Sequence, residues 1–265
     1  MGNDAVLWNL DARGIATVTL NRPEVNNAYN AELVNGVLAA LDTLGGDAGL
    51  RLVVVRGAGK HFQAGADLEW LRSVSERSHA DNVAASRTTA EVVHRLNALP
   101  VPAIALVQGA CFGGGTGMIA ACDVVIAADN AFFSIAETRW GLMAGIIIPQ
   151  LNDAIGIRQV RRYALTGERF TAEEARRIGL VHEVVPLPEL ESAGERVTDQ
   201  LLQNAPEANA QTKAVALEYA WGNIRGEGYS RLVEQHALKR QSAEAAEGLA
   251  SFREKRAANW YPGSK

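Results

Sequence analysis

The chain has 265 residues, of which 48% are hydrophobic and 21% are charged, and its formal net charge is −4 at pH 7. This ordinary globular composition leaves room for one large domain or two small ones. The small negative charge, with Lys and Arg spread along the chain, argues against nucleic acid or a membrane surface as the main partner.

The N-terminus has neither the basic start nor the apolar run of a signal peptide, and no stretch approaches the ~18 uninterrupted apolar residues of a membrane span. We therefore expect a soluble, cytoplasmic protein. Cys111 and Cys122 lie in apolar surroundings. A disulfide between them stays open, but free thiols in a reducing compartment are the favoured interpretation.

The first half of the chain alternates strand and helix patterns, which indicates an α/β core. Strands are predicted at 5–9 and 15–20, a helix at 30–44, and a buried β-branched strand at 52–55. The later elements of this half are, in chain order, a helix at 67–74, a helix at 84–99, a strand at 103–107, a short helix ending at Cys122, and strands at 124–127 and 131–135.

The second half of the chain is mostly helical in pattern. Thr171 and Glu174 form a capping box, in which Thr171 caps a helix and Glu174 reaches back, and Gly179 marks the end of that helix. We predict an α/β core in residues 1–190 and a helical region in residues 191–265. The helices predicted beyond Pro186 span about 188–203, 206–221, 228–239 and 242–256.

Small residues follow the buried strand in the segment 62–68, which reads Phe-Gln-Ala-Gly-Ala-Asp-Leu. Small side chains would let a ligand approach the backbone closely. Taken alone, this pattern favours a tight loop packed against a neighbour.

Three glycines lead from a strand into a helix within Gly109–Gly117. Backbone N–H groups in the first turn of a helix lack intrahelical partners and stabilise a negative oxygen. A phosphate loop is excluded because Gly115 is followed by Thr116 and Gly117, and a dinucleotide fingerprint fails at Met118. An oxyanion hole for a carbonyl group fits better.

Glu137 lies in an apolar segment, 132–145. Desolvation there would raise the pKa of its carboxyl group toward the range that suits proton transfer. The alternative is a carboxylate at a helix N-terminus that pairs with Arg139.

Together these features resemble the crotonase (enoyl-CoA hydratase/isomerase) superfamily over nearly the whole chain. The resemblance implies a ββα spiral core, a C-terminal helical trimerisation region, an acyl-CoA substrate, and a homotrimer or dimer of trimers. It implies no cofactor, since coenzyme A is part of the substrate, and the spacing of the five histidines predicts no metal site. The matching segments are Asn21-Arg22-Pro23 with Asn27-Ala28, Val53–Leu71, Pro100–Asp123, Phe133–Gly145, Leu165–Val185 and Phe252–Trp260.

The resemblance also assigns roles to particular residues. The two oxyanion N–H groups map onto Ala66 and Gly114, and the general acid/base maps onto Glu137. Phe252 and Lys255 become candidates for coenzyme contact from a neighbouring subunit. The remaining residues implied in substrate or coenzyme binding are Ala64, Gly65, Asp67, Leu68 and Gly113.

One family position departs from the two-carboxylate pattern. The first glutamate of such hydratases maps onto Gly117, so only Glu137 remains. A Δ3-Δ2 enoyl-CoA isomerase needs a single carboxylate, which favours isomerisation. Closer similarity to bacterial methylglutaconyl-CoA hydratases, some of which share this glycine, favours a hydratase of short or branched enoyl-CoA, with ordered water at Gly117. A non-catalytic acyl-CoA-binding paralogue is a further alternative. Arg139 is expected to pair with a protein acid rather than a substrate carboxylate, and His61 to lie at the surface.

Overall fold

The computed structural model of the chain describes residues 4–204, 206–218 and 226–256. The strands in this part of the chain are β1 (Val6–Leu10), β2 (Ile15–Leu20), β3 (Leu52–Gly57), β4 (Ala103–Val107), β5 (Ala110–Phe112), β6 (Val124–Ala128), β7 (Phe132–Ser134), β8 (Phe170–Thr171) and β9 (Glu183–Val185). The helices are α1 (Ala31–Gly45), α2 (Leu68–Ser75), α3 (His79–Asn97), α4 (Gly114–Ala120), α5 (Ile148–Thr166), α6 (Ala172–Ile178), α7 (Leu190–Leu202), α8 (Pro206–Glu218), α9 (Glu227–Arg240) and α10 (Ala243–Arg253).

The larger sheet has the strand order β1-β2-β3-β4-β6-β9, and all its neighbours after the antiparallel β1–β2 pair are parallel. Its central strands are apolar on both faces, as strands of a covered parallel sheet are. Along β3, Val53 and Val55 face the main core, whereas Leu52 and Val54 face a smaller core under α7. The period of two along a strand thus distributes one β-branched run between two hydrophobic layers.

The smaller sheet has the order β5-β7-β8, and Gly114 and Glu137 lie a few residues after its strands β5 and β7. The segment before α2 joins it through an isolated parallel bridge between Gln63 and Cys111. Cys111 and Cys122 are both buried and free, as predicted. The two glycine-containing loops therefore leave the sheets side by side.

Several predicted elements are confirmed and others need correction. Helix α3 begins at His79, earlier than the predicted 84, because the Ser78 hydroxyl accepts from the backbone N–H of Asp81 and caps it. Thr171 caps α6, but the Glu174 carboxylate does not reach back. It accepts from the Tyr163 hydroxyl and from the Arg177 guanidinium. Helix α5 and strands β5, β8 and β9 lie outside the predicted elements.

The predicted C-terminal helices are present and pack on the core. Helix α7 covers the larger sheet, α9 lies along α3, and α10 contacts α2 and the turn Glu137–Trp140. The predicted boundary at 190/191 falls at the first residues of α7, and trimerisation stays a prediction. Residues 219–221 of the predicted helix 206–221, and Trp260, lie outside the described residues. None of the described helices combines the length and apolar character that a membrane-spanning segment needs.

Candidate active site

A cavity of about 1180 Å³ lies between the two glycine-containing loops, the turn that carries Glu137, and helices α3, α9 and α10. Lys255 and Gly117 are not among the residues that line it. The predicted site residues that do line it are Ala64, Gly65, Ala66, Asp67, Leu68, Gly113, Gly114, Glu137 and Phe252.

Parallel pairing of the segments at Gln63 and Cys111 places Ala66 and Gly114 at corresponding positions along the cavity wall. The N–H of Gln63 donates to the carbonyl of Ala110, and the N–H of Phe112 donates to the carbonyl of Gln63. Because Ala66 follows Gln63 by three residues and Gly114 follows Cys111 by three, the in-register bridge carries both to corresponding positions. A local feature of the fold thus joins residues that are 48 positions apart in the chain.

The backbone N–H groups of Ala66 and Gly114 donate to no acceptor within the part of the chain that the structure describes. Tyr29 pairs with the residues on either side of Ala66, accepting from Asp67 N–H and donating to the Gly65 carbonyl. Gly114 is the first residue of α4, where an N–H group has no intrahelical acceptor. Two unpaired donors in one cavity form an arrangement that can hold a developing oxyanion.

Gly113 makes room for the carboxylate of Glu137. Its φ is +48°, a conformation that favours glycine, and a Cβ there would lie 2.8 Å from Glu137 Oε1. The N–H of Gly113 donates to the carbonyl of Ser134 over 2.9 Å, which ties this loop to β7. The carboxylate therefore rests against the start of α4, next to Gly114.

Glu137 lines the cavity, whose wall also includes the apolar residues Leu142, Ile146 and Ile147. Its Oε2 atom is buried and has no hydrogen-bond partner among the described residues. Burial raises the pKa of Glu137 from its ordinary 4.5 to about 7, and a backbone hydrogen bond opposes this only in part. Both protonation states are therefore accessible near neutral pH, as proton transfer requires.

The expectation of ordered water at Gly117 is wrong. A Cβ at this position would lie 2.2 Å from Cγ2 of Ile147 and 2.7 Å from its Cβ. Ile147 is only 2% exposed, so its side chain fills the space that a residue at 117 would need. An apolar side chain from the segment before α5 thus replaces the second carboxylate of the family pattern.

Two further expectations about charged side chains also need correction. Arg139 lines the cavity but forms no ion pair with a protein acid among the described residues, and its guanidinium donates to the Thr166 carbonyl over 3.5 Å. His61 is half-buried rather than a surface residue, because its Nδ1 accepts from the N–H of Ala110 over 2.9 Å.

Asp67 pairs with Arg22 over 3.1 Å and caps α2.

Phe252 lines the cavity of its own chain, where its ring packs edge-on against Trp140 with centroids 4.6 Å apart. The resemblance placed it, with Lys255, in a neighbouring subunit's site. Lys255 is exposed, and its contribution to a neighbouring subunit stays a prediction. Within one chain, α10 therefore covers the turn that carries Glu137.

The cavity-wall residues that sequence reasoning did not single out include Tyr29, His236 and Arg240. Tyr29 lies against Gly114, whose Cβ would approach its Cε1 to 2.8 Å. Arg240 is 2% exposed, and Arg is almost never so buried without a partner. No sequence pattern marks His236 and Arg240, because helix α9 reaches the cavity only through its packing on α3.

The chain is similar to known proteins along nearly its whole length. The family model for enoyl-CoA hydratase/isomerase matches residues 11–262. A hydroxycinnamoyl-CoA hydratase-lyase of Pseudomonas fluorescens is 37% identical over 199 residues, covering 74% of this chain and 71% of that protein. A mitochondrial Δ(3,5)-Δ(2,4)-dienoyl-CoA isomerase of Dictyostelium discoideum is 32% identical over 93% of this chain and 87% of its own.

The fold matches as well. The crystal structure of an enoyl-CoA hydratase from Mycobacterium avium superposes with a TM-score of 0.86 at 30% identity, covering 98% of this chain and 100% of the other. The ββα core with C-terminal helices that the resemblance implied is therefore confirmed. The chain belongs to the enoyl-CoA hydratase/isomerase family of enzymes, the crotonase superfamily.

Proposed function

We propose that the protein hydrates short or branched enoyl-CoA thioesters, with 3-methylglutaconyl-CoA as a candidate substrate. The thioester oxygen would accept from the N–H groups of Ala66 and Gly114, which have no other acceptor among the described residues. As the double bond is attacked, negative charge moves onto that oxygen, and donors placed in advance stabilise it by a few kcal/mol each, roughly 3.

Glu137 would carry both proton transfers. Its carboxylate takes a proton from water as the hydroxyl adds to C3, and the electron pair of the double bond moves to form the enolate. The protonated side chain then delivers that proton to C2, which restores the carboxylate and the thioester carbonyl. One water molecule is consumed, and Glu137 ends as it began.

One observation carries this proposal. The Oε2 atom of Glu137 is buried and has no hydrogen-bond partner among the described residues, and burial raises the pKa of this carboxyl group to about 7. It shares a cavity with two unpaired backbone donors. A buried carboxylate without a partner is costly to keep, so a role in proton transfer accounts for its presence.

A specific observation favours a second candidate, a Δ3-Δ2 enoyl-CoA isomerase. Because Ile147 fills the space at Gly117, water has no second polar wall on that side of the cavity. An isomerase would need only Glu137, which would take a proton from C2 to form the enolate and return it at C4 as the double bond moves from C3–C4 to C2–C3. The non-catalytic alternative expects Glu137 to point away from the cavity, whereas Glu137 lines it.

Coenzyme A would enter along the backbone of Ala64–Leu68, with its adenine beside that segment. Phe252, 47% exposed at the rim, would cover the coenzyme from the other side. Calorimetric titration with free coenzyme A tests this placement. Phe252→Ala should weaken binding several-fold without changing the reaction that follows.

Parallel assays decide between the reactions. Purified protein is incubated with crotonyl-CoA, 3-methylglutaconyl-CoA and a 3-enoyl-CoA, and the products are separated by chromatography. Hydration of either 2-enoyl substrate that is lost in Glu137→Gln supports the proposal. Turnover of the 3-enoyl substrate alone establishes the isomerase, and full activity in Glu137→Gln would refute both.

A further inference from the structure

Arg240 forms part of the cavity wall and lies at the C-terminal end of α9. It is 2% exposed, which makes it the largest fully buried side chain in the described part of the protein. Its Nη2 donates to the Ser86 hydroxyl over 2.9 Å, whereas Nη1 is buried without a hydrogen-bond partner. The guanidinium also lies over the Trp70 ring, 5.6 Å from its centroid.

The groups beside Arg240 do not neutralise its charge. His236 Nδ1 lies 3.1 Å from Nη2, and burial together with the nearby guanidinium lowers the pKa of His236 to about 3, so its ring is neutral. Burial raises the pKa of Tyr29 to about 12, so its phenol is neutral too. No carboxylate forms an ion pair with Arg240 among residues 4–204, 206–218 and 226–256.

Tyr29 relates this charge to the reacting carboxylate. Its pKa is influenced by Arg240, which lowers it, and by Glu137, which raises it, although burial dominates. Tyr29, Glu137 and Arg240 line the same cavity, and Glu137 and Arg240 form no ion pair with each other. The cavity thus holds a proton-transfer carboxylate in one part and an uncompensated buried guanidinium in another.

A guanidinium stays protonated under all ordinary conditions, so it cannot escape burial by losing its charge. A buried charge without a partner is destabilising, and a carboxylate that accepts from the guanidinium fork relieves this most effectively. Neutral acceptors such as hydroxyl groups would satisfy the hydrogen bond at Nη1 but would leave the charge uncompensated. The missing partner is therefore best supplied by an anionic ligand.

We propose that Arg240 binds a carboxylate at the far end of the acyl chain, so that the preferred substrates are coenzyme A thioesters of short dicarboxylic enoic acids. This inference rests on the proposed function, because it places the acyl chain in the cavity that contains Glu137. Arg240 selects the substrate and takes no part in proton transfer. Ser86 and His236 hold the guanidinium in place through Nη2.

Binding of saturated analogues tests the inference without turnover. Isothermal titration compares glutaryl-CoA with valeryl-CoA, which have five acyl carbons each and differ by the terminal carboxylate. The wild-type protein should bind glutaryl-CoA about tenfold more tightly or better, as a charge-assisted hydrogen bond in a buried site provides. Equal or weaker binding of glutaryl-CoA overturns the proposal and needs no variant.

Two substitutions on the same helix provide the matched comparison. Arg240→Met removes the charge and keeps much of the side-chain volume, whereas Arg231→Met changes an exposed residue outside the cavity wall. The preference for glutaryl-CoA should fall to about onefold in Arg240→Met and persist in Arg231→Met. A preference that survives Arg240→Met refutes the assignment. If Arg240→Met does not fold, Arg240→Lys keeps the charge but lacks the guanidinium fork. It should reduce the preference for glutaryl-CoA, and an unchanged preference would equally refute the assignment.

The hydration assay keeps the two claims separate. A protein that hydrates crotonyl-CoA but binds valeryl-CoA as well as glutaryl-CoA leaves the proposed reaction intact and refutes the role of Arg240. One that prefers glutaryl-CoA but hydrates no enoyl-CoA retains the anion site and refutes the hydratase. Free coenzyme A, titrated into each variant, shows whether the coenzyme part of the cavity is unchanged.

Discussion

Replacing Glu137 with Gln removes an ionisable group while keeping its shape. The effect on stability follows from the pKa of Glu137 in the folded protein. Burial raises the pKa of Glu137 from 4.5 to about 7 in the folded protein. The folded state therefore binds this proton more tightly than the unfolded chain does. Stability is greatest below the unfolded pKa and is lost as the pH rises through the folded pKa.

The magnitude follows from the pKa difference. A pKa difference of about 2.5 units means that ionising Glu137 destabilises the folded state by about 3 kcal/mol at high pH. About 1 kcal/mol of this destabilisation is already present at pH 5.5. Glu137→Gln has no such cost. Its advantage in free energy of unfolding over the wild type should therefore grow by about 2 kcal/mol between pH 5.5 and pH 8.5, or about 4–8 °C in Tm.

The same substitution should reduce kcat by about 10²–10⁴, toward the upper end because one carboxylate serves both proton transfers. In the wild type, log kcat/KM should rise with a slope of one up to a pH of about 7 and then level off. Thermal scans and rate profiles across this pH range measure both effects. Glu173→Gln, an exposed carboxylate that pairs with Arg176, is the control and should change neither. A stability advantage that does not vary with pH would refute the assigned desolvation of Glu137.

Three other substitutions test the packing around this carboxylate. Gly113→Ala would place a Cβ 2.8 Å from Glu137 Oε1 in a left-handed conformation, so kcat should fall about tenfold or more while binding of free coenzyme A persists in titration. Gly117→Ala should lower the free energy of urea unfolding by about 1–3 kcal/mol because its Cβ would lie 2.2 Å from Ile147, and an Ile147→Ala background should remove most of that loss. A double-mutant cycle without coupling would contradict the contact. Gly248→Ala would bring a Cβ within 2.2 Å of the backbone of the turn that carries Glu137, so it should lower both Tm and kcat. An unchanged Tm would show that α10 does not pack on this turn.

Local patterns predicted much of the fold. The β-branched run at 52–55 forms β3, and the helical periodicity at 30–44 forms α1, because strand and helix periods place apolar side chains on one face wherever the segment lies. Helix α5 escaped prediction since it contains Gly156 at φ +73° and starts inside an apolar run. Its amphipathic pattern is therefore interrupted in the middle of the helix.

The amino-acid sequence alone was enough to identify the oxyanion candidates and the single carboxylate. Ala66, Gly114 and Glu137 lie in short motifs, and the absence of a side chain at Gly117 can be seen directly. Only the tertiary structure decided what occupies the space beside Gly117, because Ile147 reaches it by packing between segments 30 positions apart. The burial of Arg240 likewise depends on α9 lying along α3. Desolvation, unlike residue type, is a property of all neighbours together, and these are brought together only by folding.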